Sequence, residues 1–320
     1  MWEKFNMVRA GNSDLELFPL GLGGNTFGAS IGPEQSRQVL DAFVAAGGNF
    51  VDTADSYAFW VPGNSGGESE TILGEWMRKR RNRNSMVIAT KVGDHPAFKG
   101  LSITNVARAA DASLKRLQAD HIDLYYAHRD DPTVPLIETV AAFQKLVDAG
   151  KVRHIALSNY SAERIEEWMT LASDNGLALP VALQPHYNLV HRAEYEQSLA
   201  AVAAKYSLGV FPYFGLASGF LTGKYRSEAD LEGSRHGGSV SRYITREGMS
   251  LIGVLSEISA THGVPVAAIS LAWLLAQPTI SAPLASATSV AQLNDLLKSV
   301  TVQLSEEDQA RLAEASQPFA

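Results

Sequence analysis

Cysteine is absent from all 320 residues. That excludes disulfides, thiolate zinc sites and a cysteine nucleophile, and it fits a reducing cytoplasm, the expected location. A basic run is also absent. With 27 Lys and Arg against 34 Asp and Glu, the formal net charge is -7. Nucleic acid is therefore not an expected partner, because phosphate binding needs a Lys/Arg-rich face. No apolar run is long. The most hydrophobic one, AAISLAWLLA at 267–276, is half of the roughly 20 residues that a membrane span needs. It reads as a buried helix, and no membrane association is expected. The opening MWEKFNMVRA has no apolar core of the kind a secretory signal carries. Against these absences stand 46% hydrophobic and 19% charged residues, enough to bury a large core. The length allows one large α/β barrel or two ordinary domains. No shift in composition marks a linker, so residues 1–320 read as a single domain.

One pattern repeats along the chain: a short apolar run, a polar residue at its end, a loop, then an amphipathic stretch. The runs fall at 18–22, 50–51, 86–90, 122–127, 152–157, 181–183, 209–213 and 279–284. Most are apolar on both faces, as parallel strands covered by helices must be. Helical patterns follow at 33–47, 68–80, 104–117, 136–149, 162–173, 192–206, 248–262 and 290–298. Strands and helices in strict alternation predict a (β/α)8 barrel. Outside the alternation lie a short hairpin at 8–17 with Gly11-Asn12 near its centre, an extra helix at 264–277 and a terminal helix at 305–315. Two long loops, 58–67 and 216–246, are rich in Gly, Ser and aromatics. Loops of that length are usually functional covers or disordered segments.

In such a barrel the active site sits at the C-terminal ends of the strands. The polar residues ending the apolar runs are Asp52, Lys91, His128, Ser158-Asn159, Gln184 and Tyr213, and Tyr57 lies just past Asp52. Taken singly, each has an ordinary explanation as a cap, a solvated charge or a structural histidine. Their placement at successive strand ends points to chemistry. A phenol ionises near pH ~10, so Tyr57 keeps a proton to give to a developing alkoxide. An ammonium beside it would lower that value by ~1–3 units. Asp52 would keep Lys91 charged and oriented, and His128 would donate a hydrogen bond to the substrate oxygen. The set lacks a nucleophile and an electron source, so a hydride must come from a cofactor.

The order Asp52, Tyr57, Lys91, His128 is embedded in VDTADSY, VIATK and DLYYAHRD. Further blocks are GLGGNTFG at 21–28, GESETILG at 67–74, SLKRL at 113–117, KVRHIALSNYS at 151–161, QPHYNLVHR at 184–192 and YFGLASGFLTGKY at 213–225. Together, and in this order, they resemble the aldo-keto reductase superfamily, in its bacterial form, over nearly the whole chain. The resemblance implies a (β/α)8 barrel and an oxidoreductase that moves a hydride between NAD(P)H and an aldehyde, ketone or sugar. It implies Tyr57 as the acid/base, with Asp52, Lys91 and His128 completing a tetrad. Ser158, Asn159 and Gln184 match residues that hold the nicotinamide carboxamide, and Tyr213 matches the ring that stacks on it. Gly23, Gly24 and Asn25, together with Asp52, match the cofactor side of the mouth. Leu216, Ser218 and Lys224 fall in the segment that crosses the pyrophosphate. Tyr57, Phe27, Trp60 and His128 would line the substrate end.

The departures are Ala156 for a usual glycine, Phe214-Gly215 for a common Ser-Pro, and a tail segment at 284–297 without Lys or Arg. Ser286 stands where relatives have lysine or glycine, and Gln292 where arginine is frequent. NADP(H) is the family default, and NAD(H) is possible because a 2′-phosphate normally wants such a cation. Asp130 and Asp131 could bind a polyol or serve as loop acids. Two alternatives stay open. One is a barrel hydrolase with a divalent metal on Asp52, Asp55, His128 and Asp130, which leaves Lys91 and Tyr57 without a task; no metal is expected. The other is a non-catalytic nicotinamide sensor. A small carbonyl or alcohol is the expected partner, with the chain a monomer or a homo-oligomer.

Overall fold

The computed structural model describes residues 6–233 and 237–320; of the long loop 216–246, residues 234–236 lie outside this range, as does the opening 1–5. Eight parallel strands form the central sheet. In chain order they are β1 (Gly21–Gly23), β2 (Phe50–Asp52), β3 (Val87–Val92), β4 (Ile122–Ala127), β5 (Val152–Ser158), β6 (Ala182–Gln184), β7 (Gly209–Val210) and β8 (Leu284–Ala285). From β1 to β7, strands adjacent in sequence pair with one another, and β8 pairs with β1. A parallel bridge from Val210 to Ile280 joins the remaining edges and closes the ring. The first and last strands are shifted from the expected 18–22 and 279–284. Pro19 and Pro283 have no N–H for the ladder, so pairing there starts beyond them. Pro283 still contributes its carbonyl, which accepts from Gly21 N at 3.0 Å.

Helices cover the outside. The first six are α1 (Pro33–Ala45), α2 (Glu68–Arg80), α3 (Ile103–Leu117), α4 (Leu136–Asp148), α5 (Ala162–Asp174) and α6 (Ala200–Lys205). They are followed by α7 (Arg246–His262), α8 (Val266–Leu275), α9 (Val290–Leu297) and α10 (Glu306–Ser316). Their starts follow local chemistry. Pro33 supplies a preset φ and Ser102, Ser161, Thr245 and Ser289 accept hydrogen bonds from the first turn, while Ser305 and Asp308 form a reciprocal box. The stretch before α6 opens as a π-helical turn at Tyr195–Leu199. Among the described residues no single helix is long and apolar enough to cross a membrane. The bent pair α7–α8 passes by composition, with a 95° break. Nearly all of α8 is buried, which makes it the core helix expected from its sequence.

Strand parity divides the core in two. Residues such as Val51, Ile88, Tyr125 and Leu157 point outward into the layer under the helices. Phe50, Val87, Ala89, Leu124, Tyr126, Ala156, Ala182, Phe211, Ala282 and Leu284 fill the barrel interior. Ala156 is in register with Tyr126, so its small side chain leaves room for the phenol ring. The hairpin Val8–Arg9 and Glu16–Leu17 adds Leu15 and Leu17 to this inner cluster. A Cβ on Gly11 in its turn would fall 2.3 Å from Val181 O and 2.7 Å from Gly209 N. The hairpin is therefore pressed against the N-terminal ends of β6 and β7 and closes the floor.

A glycine in α2 provides a test of this packing. Gly74 sits against α3, and a Cβ there would lie 2.2 Å from Arg116 O. Gly→Ala within a helix normally stabilises by ~1 kcal/mol. Gly74→Ala is expected instead to destabilise by ~1–3 kcal/mol, as overpacking against an immobile backbone does. Urea unfolding of the two proteins measures the difference; a stabilised variant would contradict the close α2–α3 approach.

Candidate functional site

Continuing the inward parity to each strand's C-terminal end gives one residue per strand. From Phe50 it leads to Asp52, from Val87 and Ala89 to Lys91, and from Leu124 and Tyr126 to His128. From Ala156 it leads to Ser158, from Ala182 to Gln184, from Phe211 to Tyr213 and from Leu284 to Ser286. Gly23 completes the ring, since its Cβ would fall 2.4 Å from Ser286 Oγ. The sequence-expected residues thus share one mouth because alternation in a strand allows no other direction.

At its centre the Lys91 ammonium, fully buried, donates to Asp52 Oδ2 at 2.6 Å, Thr53 O at 2.8 Å and Tyr57 OH at 3.0 Å. Its three protons meet three acceptors. Burial alone would lower its pKa, but the Asp52 carboxylate and Tyr57 outweigh that and raise it. The other Asp52 oxygen accepts from Gln184 Nε2 at 2.9 Å. Tyr57 departs from the lowering expected from a neighbouring ammonium. Burial raises its pKa, Lys91 opposes, and burial wins, so the phenol keeps its proton. His128 is held neutral, its pKa pushed down to about 3 by burial first and then by the Lys91 charge. Its ring centroid lies 6.3 Å from that of Tyr57, edge to face.

Beside this centre is a second network. Asn159 Nδ2 donates to His128 O at 2.8 Å and to Ser158 Oγ at 3.1 Å, and Asn159 Oδ1 accepts from Tyr213 OH at 2.8 Å. Ser158 Oγ donates to Gln184 O at 2.9 Å. Asn159 holds φ at 55°, a costly conformation for a non-glycine residue that aims its amide into this network. The capacity left on Asn159 Oδ1, Gln184 Oε1 and Ser158 Oγ is acceptor, which suits an amide –NH2. The Tyr213 ring is pinned at its hydroxyl and stacked on one face by His186, with centroids 5.3 Å apart. His186 is itself stacked on His191 at 3.8 Å.

The expected tail positions sit further round the rim. Ser286 Oγ donates to Asn25 Oδ1, which ties β8 to the turn after β1. Gln292 Oε1 accepts from Thr288 N at 2.9 Å and Oγ1 at 2.8 Å, so Gln292 braces its own loop. Leu216 and Ser218 are partly buried and Lys224 is exposed, its Nζ 4.8 Å from the Tyr225 ring centroid. Ala217, Ser218 and Gly219 all have positive φ, a strained run inside the 216–246 loop.

One expectation needs correction, and two open alternatives are narrowed. Phe27 is 0% exposed and belongs to the outer core, because the helical turn Gly24–Thr26 carries it inward behind Gly24; it does not line the mouth. Asp130 is held by Arg164 through two contacts of 2.8 Å, and Asp131 caps Leu101 N at 2.8 Å and Thr133 N at 3.1 Å, so both are loop acids rather than polyol ligands. Asp52, Asp55, His128 and Asp130 do not converge, and no group of three or more metal-binding side chains occurs among the described residues. Trp60 does stand at the mouth, 52% exposed and 6.2 Å from the Tyr57 ring. Sequence reasoning passed over Thr53, whose carbonyl completes the Lys91 shell. It also passed over Asp94 and Arg129 beside His128.

The family model described as aldo/keto reductase matches residues 19–317. The chain belongs to the aldo/keto reductase family. It is 32% identical over 304 residues to a probable voltage-gated potassium channel subunit beta of Oryza sativa subsp. japonica, covering 91% of this chain and 90% of that protein. Protein tas of Escherichia coli (strain K12) is 31% identical over 339 residues, 97% of each chain. Aldo-keto reductase YhdN of Bacillus subtilis (strain 168) is 30% identical over 310 residues, 93% of this chain and 89% of YhdN. As an aldo/keto reductase the chain is an NAD(P)-dependent oxidoreductase of carbonyl compounds, built on the (β/α)8 fold that its strand ring displays.

The stacked His186 gives this mouth a measurable acid response. Burial, then His191, pushes its pKa down from 6.5 to about 4. The unfolded chain therefore binds more protons, and stability is lost as pH falls from 6.5 through about 4. His186→Asn is expected to lose less Tm than wild type over that window; parallel Tm curves would contradict it.

Proposed function

We propose that this aldo/keto reductase reduces an aldehyde, ketone or sugar carbonyl with Tyr57 as general acid, and that Tyr57 takes up the proton when an alcohol is oxidised. The observation that carries this reading is the Lys91 shell. Because Tyr57 OH accepts from Lys91 Nζ at 3.0 Å, its own proton points away from the ammonium, and in this reading that proton is given to the substrate oxygen. Asp52 keeps Lys91 charged, and Gln184 holds Asp52 in turn. His128 meets the substrate oxygen from the other side of Tyr57. Trp60 forms the exposed wall of the substrate end.

When bound, NAD(P)H supplies the hydride. In this reading Ser158, Asn159 and Gln184 hold the carboxamide, their free acceptor positions receiving its two N–H protons, and Tyr213 offers its uncovered face to the nicotinamide ring. Gly23, Gly24, Asn25, Leu216, Ser218, Lys224, Ser286 and Gln292 belong to the groove that continues from it. The small size of Gly23 supports this, since any Cβ there would displace Ser286. NADP(H) is the family default, but the 284–297 segment offers hydroxyls and amides where a 2′-phosphate favours a cation. Nearby Arg37 is engaged by Glu34 and Glu75, and Lys298 by Asp295. Both NADP(H) and NAD(H) are therefore assigned as cofactors, with a cytoplasmic location supported by the absence of cysteine.

Tyr57→Phe is expected to lower kcat by at least ~10²–10⁴-fold while the Kd for nicotinamide cofactor stays within a few fold. Stopped assays over a carbonyl panel, with fluorescence titration of cofactor, measure both; wild-type kcat in the variant would remove Tyr57 from the reaction. In the same titration NADPH and NADH are expected to differ by less than about tenfold, since no added charge-assisted pair separates them. A hundredfold NADPH advantage would place phosphate ligands on another segment.

A further inference from the structure

Behind Tyr213 stands a column of rings that the tetrad does not account for. His186 follows β6 and Tyr213 follows β7, and a parallel bridge sets the two in register, with Tyr213 N donating to Pro185 O at 3.0 Å. Their side chains leave the same side of the strand extensions, and the rings stack with centroids 5.3 Å apart and planes 22° from parallel. His191 stacks on His186 in turn, at 3.8 Å and 14°. A tight turn builds this column. Asn188 N donates to His191 O at 3.2 Å, and His191 N donates to Asn188 O at 3.0 Å. Leu189 and Val190 at the tip of the turn are buried in the outer core, which anchors it and folds His191 back onto His186.

We propose that His186, backed by His191, is a positioning residue that sets the plane of the Tyr213 ring and so fixes the platform on which the nicotinamide lies. This rests on the reading of Tyr213 as that platform. The Tyr213 side chain is held at its base by the backbone and at its tip by Asn159 Oδ1, 2.8 Å from the hydroxyl. Cβ and the hydroxyl oxygen lie on one axis of the phenol, so these two anchors leave rotation about that axis free. A flat group against one face removes the freedom, and His186 is that group. An aliphatic residue would fill the space without offering a flat face. Phe214 stands across both rings at steep angles, 73° to His186 and 66° to Tyr213, and flanks the column.

The supporting ring is itself held. Asn188, fully buried, accepts from Val190 N at 2.9 Å through Oδ1, which leaves its Nδ2 to donate to Phe214 O at 2.9 Å and to His186 Nε2 at 3.3 Å. Nε2 is then an acceptor, and the proton of the neutral imidazole sits on Nδ1. The ring stays uncharged because burial first, then His191 and Arg242, pushes the His186 pKa down to about 4. His186 therefore adds no positive charge behind a nicotinamide that is cationic when oxidised, and it backs both redox forms.

The test compares, by titration calorimetry, binding of NADPH and NADH with binding of the corresponding ADP-ribose fragments, which carry the tail and lack the nicotinamide. In His186→Ala the Kd of each cofactor that binds is expected to rise by ~3–10-fold, the scale of one aromatic stack, while the Kd of its fragment stays unchanged. His186→Phe, which keeps a flat face, should restore most of the loss. His191→Ala, at a partly exposed position, should weaken the cofactor selectively by a smaller factor, and it decides by the same comparison if His186→Ala does not fold. Equal weakening of cofactor and fragment would show a merely structural role and overturn the proposal. Unchanged cofactor binding in His186→Ala, or no rescue by His186→Phe, would overturn it as well. A wild type that binds neither cofactor would instead remove the proposed function, and this role with it.

Discussion

A primary ammonium held wholly out of water must find acceptors for its protons, and the site around Lys91 is organised by that demand. Asp52, the Thr53 carbonyl and the Tyr57 hydroxyl come from β2 and the turn after it, while the lysine comes from β3. The ion pair alone would not justify its burial, because desolvating two charges commonly costs as much as their attraction returns. What it achieves is orientation. The hydroxyl oxygen of Tyr57 is held by a fixed donor, and the carboxylate that fixes the donor is itself fixed by Gln184 from β6. Three strands therefore contribute to the placement of one hydroxyl.

The neighbouring groups show how burial and charge trade against each other. Burial outweighs Lys91 at Tyr57, so the phenol keeps its proton. At His128 burial and Lys91 act together and the ring stays neutral. Asp55, buried with both oxygens unpartnered, is raised well above the ordinary carboxylate range by desolvation first and then by Glu70. Glu70 lies under the same turn and is held by Arg116 at 2.6 Å and Thr90 at 2.5 Å. The mouth thus rests on a buried polar layer in which position decides protonation.

Much of this was legible in the sequence because a strand has a period of two. Once the apolar runs were placed, the polar residue at each inward position had only one direction to face, and Asp52, Lys91, His128, Ser158, Gln184 and Tyr213 followed. What escaped depended on irregular backbone or on contacts between loops. Phe27 turns inward because of a single helical turn, which carries no periodic signal. The hairpin that follows β3, Asp94–His95 with Phe98–Lys99, has arms of two residues, too short for alternation to register. The Asp94–Arg129 pair joins loops after two different strands, and nothing local in either loop announces the other. The sign of the Tyr57 shift was hidden for a different reason: a sequence names the neighbouring charge but not the depth at which it acts.

The N-terminal hairpin also bears on traffic. With Leu15 and Leu17 plugging the inner cluster and the turn at Gly11 seated on the strand starts, the barrel is a cul-de-sac. Whatever reaches Tyr57 must arrive and leave through the same opening, past Trp60 and Tyr213. The floor of the barrel, far from any reacting atom, thereby leaves the opposite rim as the face on which the polar strand ends gather.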